Sequence, residues 1–172
     1  MKLTKKYLEK RRVPKVLISG LLIASVLGWT GWRNLDKIKN YYQVKEIFPI
    51  STTVTGVLDG DTFDIKNGLS VRLLGINAPE RGATGSAEST LFLEQLINNK
   101  KIRLEYDKYQ DDKFGRILAY AWIDCFDQIK IYCRPEQKNQ ALINEVLIKT
   151  GHAIKVTYSD RKPLKYRDYF EN

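Results

Sequence analysis

The chain has 172 residues, enough for one domain and a short additional segment. Its net charge is +9, but residues 1–40 carry +8 of it and the remaining residues are nearly neutral. The basic character therefore belongs to the N-terminus and does not by itself indicate a basic binding face elsewhere. With one His and two Cys, the composition argues against a zinc site, and no internal repeat or low-complexity stretch is present.

The N-terminal segment has the pattern of a membrane anchor. Seven basic residues precede an uncharged run over residues 16–32, which Arg33 closes. As a helix this run extends about 25 Å, at the short end of what crosses a bilayer, and Trp29 and Trp32 lie where an aromatic belt is expected. A cleaved secretory signal is the rival interpretation, although no clear small-x-small site follows the run. A buried soluble helix is the third.

These patterns divide the chain into four parts. The excess of basic residues before the apolar run predicts a cytoplasmic N-terminus and an outward-facing domain. If the signal is cleaved, the domain is instead secreted. No obligate protein partner is inferred. We predict a basic cytoplasmic segment over 1–15, a single-pass transmembrane helix in the lipid bilayer over 16–32, a linker over 33–50 and a folded domain over 51–172.

The folded part begins with strand patterns. Thr52–Leu58 and Thr62–Lys66 predict two strands joined by a turn at Asp59-Gly60-Asp61. Asn67-Gly68 is a strong hairpin signal and leads into a third strand over Leu69–Gly75. The three segments therefore predict an antiparallel meander.

A helix and two further strands follow. Ser86 is expected to cap a helix that runs to about Asn98, with a core face of Leu91, Phe92, Leu96 and Ile97. Lys101–Asp107 and Arg116–Ile123 predict strands, 124–140 an irregular excursion, and Ala141–Thr150 a helix that ends before Gly151. The order predicts a mainly β, α+β domain built on a small, closed, five-stranded barrel of the OB type.

Two cysteines flank part of the irregular excursion. Cys125 and Cys133 are eight positions apart and would face each other if the intervening residues formed a hairpin. An outward-facing domain permits a disulfide between them. Two half-buried thiols are the alternative, and the sequence does not decide between the two.

Four short segments carry the chemistry of the chain. They supply carboxylates for a hard cation, a glutamate free to act as a base, and two arginines, which is the set that a metal-assisted attack on a phosphodiester requires. Each segment alone is common. The four are Asp59-Gly60-Asp61-Thr62, the run from Arg72 to Glu80, the run from Asp112 to Arg116, and the run from Leu142 to Glu145.

With this spacing, residues 53–162 resemble the staphylococcal nuclease family. The resemblance implies an OB-fold barrel and calcium-dependent hydrolysis of DNA or RNA. It also implies three metal-binding positions, with Asp61 as the principal Ca²⁺ ligand, Asn77 as a second ligand and Thr62 as the donor of a backbone carbonyl. Asp59 matches an acid close to the ion, whose other role would be to shape the turn.

The resemblance further implies which residues act on the substrate. Glu80 matches the general base, aimed by Pro79, and Arg72 and Arg116 match the two arginines that clamp the phosphate. Ion pairs of these arginines with Asp61 or Glu80 are the structural alternative. Nucleotide contacts are implied for Lys113, Phe114 and Tyr158, with Phe114 replacing a tyrosine common in the family.

The chain departs from the family at two places. Asn77 stands where the family usually has a second carboxylate ligand, and an amide keeps an oxygen donor but removes one negative charge. We therefore expect weaker metal affinity, not its loss. Family members also continue with a long helix, of which Pro163–Asn172 could form only the first turns.

Three functional hypotheses follow. The first is a membrane-tethered, calcium-dependent nuclease that acts on DNA or RNA. The second is a catalytically weakened OB-fold module that binds nucleic acid or a protein, with its site impaired by Asn77. The third is a small structural membrane protein in which the acids and arginines only pair with each other.

Overall fold

The structure is a computed structural model that describes residues 47–156 and 163–171. These residues lie in the unit that begins at Ile47. Within the described ranges, no helix is both long and apolar enough to cross a membrane. The predicted anchor over 16–32, and the linker up to residue 46, lie outside the described residues.

Nine strands and two α-helices make up the described residues. Three short 3₁₀ helices accompany them, at Asp127–Tyr132, Pro135–Gln137 and Arg167–Phe170. The elements in chain order are β1 (Ser51–Asp59), β2 (Thr62–Ile65), β3 (Ser70–Leu73), β4 (Ile76–Asn77), α1 (Ser86–Ile97), β5 (Lys101–Glu105), β6 (Ile117–Asp124), β7 (Cys133–Arg134), β8 (Gln140–Leu142), α2 (Ile143–Lys149) and β9 (Ile154–Lys155).

Five of these strands close into a barrel. β1 pairs antiparallel with β2 and with β5, β2 pairs antiparallel with β3, and β5 pairs antiparallel with β6. The parallel pairing of β3 with β6 completes the ring. The predicted meander and the closed five-stranded barrel of the α+β class are therefore confirmed, and the arrangement fits an OB fold.

The Asn67-Gly68 turn shows why the hairpin of β2 and β3 forms where the sequence predicted it. The amide of Gly68 donates to the carbonyl of Ile65 (2.8 Å), and the amide of Ile65 donates to the carbonyl of Leu69 (3.0 Å). Gly68 has φ 78°, a left-handed conformation that glycine adopts without steric cost. The predicted hairpin is confirmed.

The α1 helix differs from the prediction at its start and on its core face. Gly85, in a left-handed conformation, holds the N-cap position without a side-chain hydrogen bond, and Ser86 is the first helical residue. Leu91 points to solvent at 54% exposure, whereas Leu93 is fully buried. The predictions for Ser86 as cap and Leu91 as core residue were wrong. The face that packs on the barrel carries two serines, Ser86 and Ser89, which an apolar pattern overlooks.

The predicted irregular excursion is partly ordered. It contains two of the 3₁₀ helices and the β7–β8 hairpin, and β8 pairs with β6 and so extends the sheet. Residues 141 and 142 belong to β8, so the following helix begins at Ile143 rather than at Ala141. Cys125 and Cys133 form a disulfide across the 3₁₀ helix Asp127–Tyr132.

A short C-terminal segment covers one side of the barrel. Tyr166 and Phe170 are buried there, and the ring of Tyr166 meets Tyr120 edge-on with 4.8 Å between centroids. A Cβ added at Gly75 would lie 2.8 Å from the ring of Phe170, so this glycine permits the close approach. A 3₁₀ helix at Arg167–Phe170 stands where the sequence predicted the first turns of a long helix.

Candidate active site

An open cleft of about 620 Å³ lies where the turns after β1 and β4 meet the loop before β6. Seven of the ten predicted site residues line it. Thr62 and Lys113 do not, and Tyr158 lies outside the described residues. The lining residues are Asp59, Asp61, Arg72, Asn77, Ala78, Pro79, Glu80, Arg81, Phe114 and Arg116.

The turn between β1 and β2 places the two aspartates. A Cβ added at Gly60 would come within 2.6 Å of the Cβ of Ser89 and 2.7 Å of that of Ala78. Only a glycine therefore lets this turn approach α1 and the segment after β4 so closely. Within the turn, the backbone amide of Asp61 donates to the Asp59 carboxylate (3.1 Å). Asp59 thus shapes the turn that carries Asp61.

Asp61 is the buried carboxylate of the cleft. Its Oδ2 accepts a hydrogen bond from the backbone amide of Ala78 (2.7 Å) and lies 2.9 Å from Nη2 of Arg72. Its Oδ1 accepts a hydrogen bond from the hydroxyl of Thr62 (3.0 Å). Burial raises the pKa of Asp61 to about 6, because it outweighs the opposing effects of Arg72 and the Ala78 amide. Arg72 and the Ala78 amide therefore do not fully offset the cost of burying the ionised Asp61 carboxylate, and a bound cation would stabilise it.

Arg72 is held at the base of the cleft by four contacts. From strand β3 its Nη1 donates to the carbonyls of Leu73 (2.8 Å) and Ile76 (2.9 Å). Its Nη2 lies between the Asp61 carboxylate and the Asn77 side-chain oxygen, to which it donates at 2.8 Å. The ion pair with Asp61, raised as an alternative from the sequence, is present. These contacts fix the guanidinium in place at 16% side-chain exposure.

Asn77 lies beside Asp61 because of a pairing that the sequence did not predict. It belongs to the two-residue strand β4, which pairs antiparallel with β9 and places Asn77 opposite Ile154. The hydrogen bond from Arg72 fixes its side-chain oxygen as an acceptor within the cleft. The amide therefore presents an oxygen beside the Asp61 carboxylate, but no second charge.

Glu80 occupies the exposed rim of the cleft. It follows Pro79, whose ring restricts the backbone just before it, and its carbonyl accepts the amide of Ala83 (2.8 Å) in a turn. Its side chain is exposed and lines the cleft. A carboxylate in this position can reach water and a bound substrate.

Arg116 lines the cleft from the loop before β6, and Asp112, to which the sequence analysis gave no role, holds its side chain. Asp112 Oδ2 lies 2.8 Å from both Nε and Nη2 of Arg116. Although burial opposes it, hydrogen bonds from Arg116 and from the Phe114 amide hold the pKa of Asp112 below its usual value. The loop therefore keeps an ionised carboxylate that orients Arg116.

Phe114, Lys113 and Thr62 surround this arrangement at different depths. Phe114 is 71% exposed, so much of its ring is accessible to a ligand, and the guanidinium carbon of Arg116 lies 5.4 Å from the ring centroid. The Lys113 ammonium is exposed and lies 5.0 Å from the centroid of that ring, at the edge of the cleft. Thr62 is buried, pairs with Asp59 and Arg72 in the sheet, and uses its hydroxyl to support Asp61. Its carbonyl ligation stays a prediction.

Three residues at the cleft were missed by sequence reasoning. Ala78 supplies the amide that holds Asp61, and Asp112 orients Arg116. Arg81 lines the cleft beside Glu80. Asp112 lies within a recognised segment and Arg81 directly follows one, so their place in the sequence was the available signal. Nothing in the sequence marks a backbone amide such as that of Ala78.

The last of the four sequence segments serves structure rather than the cleft. Asn144 is fully buried, accepts a hydrogen bond from the amide of Ala121 (3.1 Å) and donates to the carbonyl of Leu74 (2.9 Å). It thereby ties α2 to β6 and to the end of β3. Both carboxylate oxygens of Glu145 accept hydrogen bonds from Nη2 of Arg134, at 2.7 and 2.8 Å.

The oxygen donors at the cleft fit a hard cation by type. Carboxylates of Asp59, Asp61 and Glu80 and the amide oxygen of Asn77 are ligands that Ca²⁺ accepts, and no sulfur or imidazole group lines the cleft. Within residues 47–156 and 163–171, no three His, Cys, Asp or Glu side chains converge closely enough to hold a metal ion by themselves. Amide, carbonyl or water oxygens would have to complete the coordination.

Comparisons with known proteins agree with this geometry. The model of the family described as staphylococcal nuclease homologues matches residues 70–172, a range that includes Arg72, Glu80 and Arg116 and begins after Asp61. A thermonuclease of Staphylococcus hyicus is 32% identical over 127 residues, which cover 69% of this chain and 65% of that protein.

Two further relatives are similar over different lengths. A thermonuclease of Staphylococcus intermedius is 41% identical over 83 residues, covering 42% of this chain and 49% of that protein. Endonuclease YncB of Bacillus subtilis is 30% identical over 131 residues, covering 70% of this chain and 54% of that protein. The chain thus spans about half to two thirds of the length of these three relatives.

Proposed function

The chain belongs to the staphylococcal nuclease homologue family, and from that premise we propose that it hydrolyses phosphodiester bonds of DNA or RNA with the help of a calcium ion. The observation that carries the proposal is the convergence of Asp61, Arg72, Glu80 and Arg116 on one open cleft. The thermonuclease and endonuclease relatives support the same reaction class.

Each side chain has a distinct task in this proposal. Glu80 accepts a proton from a water molecule as its oxygen forms a bond to phosphorus, and the ester bond to the leaving oxygen then breaks. The leaving oxygen takes its proton from solvent. Arg72 and Arg116 both line the cleft and stabilise the charge on the non-bridging oxygens of the transition state. Phe114 offers its exposed ring to a nucleobase.

Asp61 and Asn77 would hold the calcium ion, with Asp59 close by and the carbonyl of Thr62 as the further predicted ligand. When bound, the ion supplies Lewis-acid polarisation of the phosphate. The raised pKa of Asp61 supports this assignment, because a buried carboxylate with little compensation is stabilised by a cation. Asn77 lowers the charge of the site, which favours moderate affinity.

A cleavage assay tests the proposal. The full-length chain would be incubated with single- and double-stranded DNA and with RNA, in Ca²⁺ or in a chelator. We expect cleavage that depends on Ca²⁺ and that falls about 10²- to 10⁴-fold in Glu80→Gln, since a positioned general base contributes that much. Because Glu80 is exposed, the thermal unfolding of the variant should match that of the parent chain.

The same assay distinguishes the nuclease hypothesis from the alternative of a non-catalytic binding module. The neutral amide at Asn77 favours a weakened module that binds nucleic acid without cutting it. Binding without calcium-dependent cleavage, or cleavage unchanged in Glu80→Gln, would establish that alternative and remove Glu80 from the mechanism. Glu136→Gln is a matched control, because Glu136 is an exposed glutamate in the 3₁₀ helix Pro135–Gln137, which does not line the cleft.

We also propose that residues 16–32 tether the enzyme to a membrane with the nuclease domain on the outer side. The basic flank and the uncharged run support this. Alkaline carbonate extraction of membranes distinguishes an anchor from a cleaved signal. An anchored chain stays in the membrane fraction at full length, whereas a shortened, soluble chain would indicate secretion.

A further inference from the structure

A second groove adjoins the cleft on the side of α1. It has a volume of about 470 Å³ and lies between the end of β1, the loop after Glu80 and the first turns of α1. It shares Asp59 and Arg81 with the cleft, so the two form one continuous surface. The lining includes Leu58, Asp59, Arg81, Leu91 and Glu94.

The groove exposes two large apolar side chains. Leu58 is 42% exposed and Leu91 is 54% exposed, although the opposite side of α1 already provides the core contacts through Leu93, Leu96 and Ile97. Neither exposed leucine is therefore needed to complete the core. Apolar surface that continues from a polar cleft is typical of a ligand-binding groove.

Arg81 lies where the cleft and the groove meet, because it lines both. Its Nη2 donates to the carbonyl of Leu58 (3.1 Å), which holds the side chain against the end of β1. A guanidinium group has five donors, so this hydrogen bond leaves capacity for a further acceptor. Arg81 is exposed, and it places a positive charge between the cleft and the groove.

The charges within the groove favour a nucleobase over a phosphate. Glu94 also lines the groove, and a carboxylate there repels a phosphate group. A base is neutral and presents an apolar face to leucine side chains. Its exocyclic amino group, where it has one, can donate a hydrogen bond to a carboxylate.

We propose that this groove binds the base of the nucleotide adjacent to the scissile phosphate of a single-stranded substrate. Arg81 contacts the backbone phosphate that joins this nucleotide to the one held in the cleft. Leu58 and Leu91 support the base. The inference rests on the proposed nuclease function. It gives the chain a longer binding track than the cleft alone provides, with sequence-tolerant contacts of the kind that single-strand binders use.

The test measures oligonucleotide affinity without cleavage. The probe is a fluorescein-labelled hexadeoxythymidylate, titrated with the full-length Glu80→Gln chain in Ca²⁺ and followed by fluorescence anisotropy at several salt concentrations. Each phosphate contact contributes about 0.7 to the slope of log affinity against log salt for single strands. In this background, Arg81→Gln should reduce that slope by about 0.7.

The apolar contact has a different signature. Leu91→Ser should weaken binding about three- to tenfold and leave the salt slope unchanged, because it removes apolar contact without removing charge. Leu58→Ser should act in the same direction. Thermal unfolding of each variant verifies that it is folded, which the exposure of both leucines favours.

Two matched controls lie on the 3₁₀ helix Asp127–Tyr132, which lines neither the cleft nor the groove. Lys130→Gln removes one exposed charge, and Ile131→Ser removes an apolar side chain that is 85% exposed. Should Arg81→Gln and Lys130→Gln change the slope equally, or the Leu91 and Ile131 variants bind equally well, the inference is overturned. If the Glu80→Gln chain binds no oligonucleotide at all, the proposed function itself fails.

Discussion

The cleft has a buried half and an exposed half that are built in different ways. In the buried half, Asp61, Arg72 and Asn77 are linked by hydrogen bonds to one another and to strand backbones. In the exposed half, Glu80 and Phe114 project from loops into solvent. The buried half is therefore fixed before any ligand arrives, while the exposed half can adjust to it.

The two arginines make this difference concrete. Arg72 has 16% side-chain exposure and contacts two carbonyls, a carboxylate and an amide, whereas Arg116 has 29% exposure and depends mainly on Asp112. Both are assigned the same chemical task in the proposed reaction. Only Arg72 also neutralises a buried carboxylate, so its removal should affect folding as well as cleavage.

The largest predicted effect comes from exchanging each arginine for lysine. Arg72→Lys cannot maintain four contacts with one ammonium group, so we expect it to lower the free energy of unfolding by about 3 kcal/mol. Arg116→Lys should lower it by less than about 1 kcal/mol, because the pair is partly exposed. Both variants should cleave about 10²- to 10³-fold more slowly, since lysine cannot bind phosphate bidentately.

Urea unfolding and cleavage rates measured side by side test this pair of variants. Equal losses of stability would contradict the division of the cleft into two halves. Full activity in either variant would remove that arginine from the phosphate clamp. Arg167→Lys serves as the control, because Arg167 is an exposed arginine near the C-terminus.

The buried half was also the harder one to anticipate from sequence. The Asp-Gly-Asp turn and the Asn67-Gly68 hairpin were identified because local turn chemistry and strand patterns extend over several residues, and Arg72 was identified through the family resemblance. The pairing of β4 with β9 joins residues almost 80 positions apart through two-residue strands, which have no periodicity to detect. The amide of Ala78 leaves no mark in the sequence either, although it holds Asp61.

The predicted core face of α1 was wrong for a related reason. α1 buries Ser86 and Ser89, and a large apolar side chain would not fit at Ser89, which lies beside the Gly60 turn. The spacing of apolar residues along α1 therefore predicted Leu91, wrongly, as a core residue. The groove beside the cleft could therefore not be predicted from the sequence. It depends on an exposed Leu91, and the exposure of Leu91 follows from how α1 packs on the barrel.

A second prediction concerns the charge of the buried half. Asn77→Asp adds a carboxylate beside Asp61, so we expect calcium affinity to increase about tenfold to hundredfold, because calcium affinity rises with ligand charge. Isothermal titration calorimetry with the full-length chain measures this directly. Asn139→Asp adds the same charge at an exposed position that does not line the cleft and should leave the affinity unchanged. An unchanged affinity in Asn77→Asp would show that residue 77 does not contact the ion.

The smallest predicted effect is a pH dependence that belongs to the buried half alone. Burial raises the pKa of Asp61 to about 6, so the folded metal-free chain holds this proton more tightly than the unfolded chain does. The contribution of Asp61 to the free energy of unfolding therefore falls as pH rises from about 4 to about 6, and is constant above that. Calcium needs the ionised form, so its affinity should fall about tenfold between pH 7 and pH 5.

Calorimetric titrations at pH 5, 6 and 7 check this dependence, and urea unfolding in chelator checks the opposite trend in stability. Asp61→Asn should remove the part of the pH dependence of stability that Asp61 contributes in this range, because the amide does not titrate. A calcium affinity that stays constant from pH 7 to pH 5 would mean that the ion does not rely on Asp61. The ligand would then have to come from the exposed half of the cleft, where the carboxylates of Asp59 and Glu80 lie closer to solvent.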